Sequence, residues 1–202
     1  MALAGDAACW RELPDEELLA PPAEVTLALV DPLLDLLPTH EMSWPNFENL
    51  LKRVAREVEG LRAVRLYGVP GQAQVGIDLV GINPAGENEA VQGKRYQSFT
   101  VGDLDKAVGK YLDGALPFTI RRLAVGVSCR ANDKNVANRL IELNKQHTGV
   151  EFELWDRDRL SEILRNRPDI VREFFGAATA AASAAATRSA PASASLGRGH
   201  RS

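Results

Sequence analysis

The chain has 202 residues, of which 45% are hydrophobic and 25% charged, with a formal net charge of −3. That length suits one domain with extensions, and no run approaches the roughly 20 apolar residues needed to cross a bilayer, which excludes a membrane-spanning class. The acidic N-terminus has no secretion-signal pattern, and the two cysteines, Cys9 and Cys129, suit neither a disulfide framework nor a metal motif, so a cytoplasmic location is expected.

Residues 1–42 carry nine acidic side chains and one base, Arg11. Val25, Leu29, Leu33, Leu36 and Leu37 fall at helical spacing, and Pro32 divides that stripe into two short helices. This segment is read as an acidic extension. Residues 43–176 hold 20 basic and 18 acidic side chains, a balance that neither announces nor excludes a nucleic-acid partner. They open with Ser43 as a helix cap and Pro45 in the first turn, followed by an apolar stripe of Phe47, Leu50, Leu51, Val54, Val58 and Leu61.

Three strands follow. AVRLYG is short, and Val69–Gln72 turns the chain. AQVGIDLVGI alternates, with Val75, Ile77 and Leu79 on one face and Gly76, Asp78 and Val80 on the other. Asn83–Gly86 is a strong turn, after which Ala90–Tyr96 returns with Gln92, Lys94 and Tyr96 on one face. A helix from Thr100 or Val101 contains Leu104, Val108 and Leu112, and Leu123–Val127 reads as an interior strand. Asn132–His147 is helical, Val150–Trp155 is a strand, Asp158 caps a helix through Leu164, and Pro168 opens a last one. The expected class is therefore α/β, a mixed sheet flanked by helices in the order α-β-β-β-α-β-α-β-α. From Ala177 the Ala/Ser-rich tail to Ser202 could form a short alanine helix but has almost nothing to bury, and is expected to be disordered or loosely attached.

Asp78 is chemically out of place. A carboxylate in the middle of an apolar strand is costly unless it is paired or bound to a metal. Fourteen residues on, Gln92 and Lys94 share one strand face about 6.6 Å apart, and the turn folds them back beside Asp78. A carboxylate, an amide oxygen and an ammonium converging in this way suit phosphodiester hydrolysis. Asp78, Gln92 and a backbone carbonyl would offer hard oxygens to Mg²⁺, while Lys94 would orient water and offset phosphoryl charge. Glu48, beside the apolar stripe of the first helix, could add a second carboxylate. The spacing equally permits an Asp78–Lys94 structural bridge and a solvated strand face.

Arg95, Arg121, Arg122, Arg130 and Lys134 are candidate phosphate contacts. Tyr96 either touches DNA backbone or packs beneath a helix. Gln72 and Gln74 either approach phosphate and help place Asp78, or supply turn polarity. Ser128 could help a helix N-terminus receive an anion. His40, His147 and His200 are scattered, which argues against zinc, and the glycines form no GxGxxG or GxxxxGK[ST] nucleotide loop.

WPNFENLL, YGVPGQAQVGIDLVGI, AVQGKRYQSFT and FELWDRDRLSEILRNRPDIVREFFG together resemble the PD-(D/E)xK restriction-endonuclease superfamily, specifically its Mrr-like branch. The resemblance spans residues 43–176 and implies a restriction-endonuclease-like fold with an α-β-β-β-α-β core. It places the strand aspartate at Asp78, the Q-x-K pair at Gln92 and Lys94, and the helix acid at Glu48. The implied activity is Mg²⁺-dependent hydrolysis of double-stranded DNA, with Mn²⁺ able to substitute. Glu48, Asp78 and Gln92 would hold the ion, and Gln74, Arg95, Tyr96, Arg130 and Lys134 would contact nucleic acid. Such domains often form the N-terminal effector of bacterial NTP-binding defence proteins, which implies a homodimer and a sensor or NTPase partner. Gly93 departs from a position where relatives frequently carry Cys. The alternative is a catalytically inactive module that keeps the fold and binds nucleic acid or protein.

Overall fold

The computed structural model describes residues 35–67 and 75–189. Five strands form one mixed sheet in the spatial order β1-β2-β3-β4-β5: β1 (Arg62–Leu66), β2 (Leu79–Ile82), β3 (Asn88–Lys94), β4 (Arg122–Val127) and β5 (Glu151–Trp155). The β1–β2 and β2–β3 pairs are antiparallel, and the β3–β4 and β4–β5 pairs are parallel. The parallel pairs need crossovers, supplied by helices α2 (Val101–Leu112) and α3 (Lys134–Gln146). Helix α1 (Trp44–Glu57) precedes the sheet, and α4 (Arg157–Leu164) and α5 (Pro168–Ser189) follow it. Among the described residues no helix is long and apolar enough to cross a membrane.

Strand alternation divides the core in two. On one side Leu79, Val91 and Ala124 meet Phe47, Leu50, Leu51 and Val54 of α1, together with Leu160, Leu164, Ile170 and Val171. On the other, Ala90, Leu123, Val125 and Val127 meet Leu104, Val108, Val136 and Leu143 of α2 and α3. Each large side chain so buried contributes about 1.5–3 kcal/mol. Helix α1 lies close to the sheet because Gly93 and Gly126 are register partners under it. A Cβ at Gly126 would sit 2.6 Å from Leu51 Cδ2, and one at Gly93 would sit 2.9 Å from the Trp44 ring. A side chain at Gly93 would therefore not fit unless Trp44 moved.

Several local expectations change. The striped segment near Leu37 is not helical where described. Leu37 is buried, donates its N–H to Ser161 Oγ at 2.9 Å, and accepts Arg157 Nε at 2.7 Å. Leu37 and Met42 belong to the α1-side core, so the boundary expected at residue 42 cuts through packed structure. Val25, Leu29 and Leu33 lie outside the described residues. Asp156, not Asp158, caps α4 by accepting the Arg159 N–H at 2.9 Å. The tail is helical as far as Ser189, beyond a break at Gly176 with φ 87°, and Ala180 is packed into the core. Alanine has the best helix propensity, and its small side chain allows close packing without a large apolar residue.

Candidate functional site

Of the strand expected over AQVGIDLVGI, residues 75–78 are not extended ladder and β2 begins at Leu79, just after Asp78. Val75 (φ 36°) and Gly76 (φ 73°) turn the chain through left-handed backbone, a rare conformation for a β-branched residue. The alternation expected for Val75, Ile77 and Leu79 breaks there, for Ile77 packs with the α2–α3 side and Leu79 with the α1 side. Gly76 tolerates no Cβ, which would lie 2.9 Å from both Gln92 Nε2 and Lys110 Cβ.

The turn fixes Asp78 in the plane of the sheet. Its N–H donates to Val91 O at 3.0 Å, and its carbonyl accepts the Tyr67 N–H at 2.8 Å. Because β2 starts only at Leu79, the Gly93 N–H finds the carboxylate instead, donating to Asp78 Oδ2 at 2.7 Å. The Leu79–Val91 pairing puts Asp78 beside Gln92 on the neighbouring strand. The carboxylate is thus held between the two layers and acts on groups from both. Burial raises the Glu48 carboxyl above its ordinary range, and the Asp78 charge raises it further, against the opposing effect of Lys52. Burial lowers the Lys94 ammonium; Asp78 works against that shift and Lys110 adds to it.

Gln92 is the anomaly of the site. It is 0% exposed, and neither Oε1 nor Nε2 has a hydrogen-bond partner among the described residues. A buried amide normally finds partners because leaving it without them costs roughly 1–3 kcal/mol per group. Asp78, with one oxygen bonded, lies between Gln92 on the α2 side and Glu48 of α1, whose carboxyl feels its charge. Among the described residues no three His, Cys, Asp or Glu side chains cluster to hold a metal.

Sequence reasoning missed Gly76 and Lys110. Lys106 and Lys110, one helical turn apart on α2, line a recess of about 440 Å³ with Lys94 and Tyr96. The i,i+4 lysines were visible as a helix face, but their approach to Lys94 depends on how α2 packs.

The expected nucleic-acid contacts separate. Arg95, Tyr96 and Arg130 line one cavity of about 770 Å³, at the ends of β3 and β4. Arg130 is held by Asp158 through two bonds of 2.8 and 3.0 Å. Lys134 begins α3 just beyond the Asp133 cap, and Gln72 and Gln74 lie outside the described residues. Arg122 is engaged in ion pairs. Glu59, Glu89 and Glu153 bind it at 2.8, 2.6 and 2.6 Å, and it stacks over Trp155, clamping the opposite end of the sheet. Ser128 is also structural: its Oγ donates to Tyr96 O and its carbonyl accepts Thr39 Oγ1. Cys129 is a buried free thiol.

No protein-family model matches the chain, and neither the curated proteins nor the solved structures contain a match.

Proposed function

We propose that this chain is a metal-dependent deoxyribonuclease with a restriction-endonuclease-like core, its centre formed by Asp78, Gln92, Lys94 and Glu48. The observation that carries this reading is the fully buried Gln92 amide, without a partner among the described residues, next to the Leu79–Val91 pair that Asp78 precedes and two residues from Lys94. The antiparallel β2–β3 hairpin followed by a parallel β4 agrees with the α-β-β-β-α-β order that the resemblance implies. Glu48, Asp78 and Gln92 would offer a hard divalent cation the oxygen donors it prefers. Bound there, Mg²⁺ or Mn²⁺ would acidify water and withdraw charge from the scissile phosphate.

The chain's own residues account for the rest. Asp78 is oriented by the Gly93 N–H, which leaves its second oxygen for the ion. Lys94 donates to a phosphoryl oxygen and aligns the water that attacks phosphorus, offsetting the charge that grows as the P–O bond breaks. Depressed by burial, its ammonium gives up a proton more readily than an ordinary lysine. A pair of such chains on one DNA would cut both strands.

Supercoiled plasmid incubated with Mg²⁺ or Mn²⁺ provides the test. Nicking by the wild type, lost in both Asp78→Ala and Lys94→Ala, is expected; equal residual nicking in all three proteins would overturn the assignment. The complete enclosure of Gln92 favours a second reading, a module that keeps the fold and binds nucleic acid without cutting it. That reading predicts DNA binding with no metal-stimulated nicking.

A further inference from the structure

Two cationic recesses meet at one aromatic side chain. Tyr96 lines both the 770 Å³ cavity that contains Arg95 and Arg157 and the 440 Å³ recess that contains Lys94, Lys106 and Lys110. Its position is fixed: the ring stands 5.9 Å from that of Phe99, and its carbonyl accepts Ser128 Oγ at 3.3 Å.

The charges nearby are not equally available. Arg130 is neutralised by Asp158, and Asp105, in the lysine recess, is engaged by Arg139 at 2.7 Å. Asp133 caps α3 through the Asn135 N–H and keeps its charge at the edge of the larger cavity, as Asp113 does beside the lysines, so the cations outnumber the unpaired acids without being alone. Arg157 donates Nε to Leu37 O at 2.7 Å and Nη2 to Leu36 O at 3.4 Å, and among the described residues it has no ion-pair partner. Arg95 is exposed and has no ion-pair partner among the described residues. Free positive charge therefore flanks Tyr96 on both sides.

This shape suits one strand better than two. Recesses of this volume accept ligands of nucleotide size, whereas a duplex presents phosphates along a rod and covers its base faces by stacking. An aromatic platform between cationic walls binds unpaired strands, with a base on the ring and phosphates on the cations. Phosphate capture would fall to guanidinium and ammonium groups rather than to a glycine-rich loop. We propose that the DNA strand crossing Tyr96 is unpaired, and that single-stranded DNA is the preferred substrate of this site. The inference rests on the nuclease reading only for the identity of the polymer.

Binding to the full chain in EDTA, followed by fluorescence anisotropy, tests this without hydrolysis. The probes are a labelled mixed-sequence oligodeoxynucleotide and the same strand annealed to its complement. Expected are affinity about tenfold higher for the single strand, a loss of about tenfold in Tyr96→Ala, and wild-type binding in Tyr96→Phe. Arg95→Ala, a substitution at an exposed position, should weaken single-strand binding and flatten its salt dependence even if Tyr96→Ala folds poorly. Duplex binding as tight as single-strand binding, or single-strand binding indifferent to Arg95→Ala and to a folded Tyr96→Ala, would overturn the proposal. Single-strand preference without plasmid nicking would sink only the nuclease reading, and nicking with duplex preference only this one.

Discussion

Replacing Gln92 by Met separates a site held for function from one held for stability. The two side chains have nearly the same length and shape, so the packing change costs less than about 1.5 kcal/mol. Gln92 is 0% exposed, and its Oε1 and Nε2 both lack a partner among the described residues. Each such group costs roughly 1–3 kcal/mol of desolvation, which the thioether does not incur. Subtracting the packing penalty leaves Gln92→Met more stable than wild type by about 2 kcal/mol, equivalent to a rise of about 4–8 °C in Tm for a chain of this size. Metal-stimulated nicking should disappear in the same protein, a stability–function trade-off. Thermal unfolding in EDTA, with and without added Mg²⁺, reads both effects, and the wild type alone should gain stability from the ion. A variant destabilised by more than about 1 kcal/mol in EDTA would mean the amide is satisfied in the free protein. The argument for an oxygen reserved for a cation would then fail.

Lys94→Met should remove nicking and also change the pH dependence of stability. Burial lowers the Lys94 pKa, so between that lowered value and the ordinary 10.5 the unfolded chain binds more protons than the folded one. Wild-type stability therefore gains a rising contribution with pH through this window, and Lys94→Met should lack it. Urea midpoints for both proteins, from neutral pH upward, check the sign, and identical slopes would refute it. Gly126→Ala should cost about 1–3 kcal/mol, because its Cβ would lie 2.6 and 2.8 Å from the two Leu51 methyl carbons. Adding Leu51→Ala should make the double variant less destabilised than the sum of the singles, as chemical denaturation would report.

Much of the architecture was legible in the sequence because it rests on periodicity. The α1 stripe from Phe47 to Val54, the apolar run of β4 and the helix–strand alternation after Thr100 all form where the side chains repeat at helical or strand spacing. The Asn83–Gly86 turn fixed the hairpin, and with it the pairing that brings Gln92 beside Asp78. Local chemistry misled where propensity and burial diverged. The alanine segment has too little apolar volume to announce itself, yet it forms a helix against the core.

The sequence by itself determined which side chains have unusual chemistry, since a carboxylate among apolar residues and a Gln-x-Lys pair stand out in one dimension. Only the tertiary structure decided their circumstances. The left-handed turn at Val75–Gly76 delays the start of β2 and gives Asp78 the Gly93 N–H. Packing of α2 brings Lys110 to Lys94 and seals Gln92, while Arg122 is drawn into a carboxylate clamp. Burial and through-space charge depend on which segments of the chain come to lie together, and residue order carries no direct record of that.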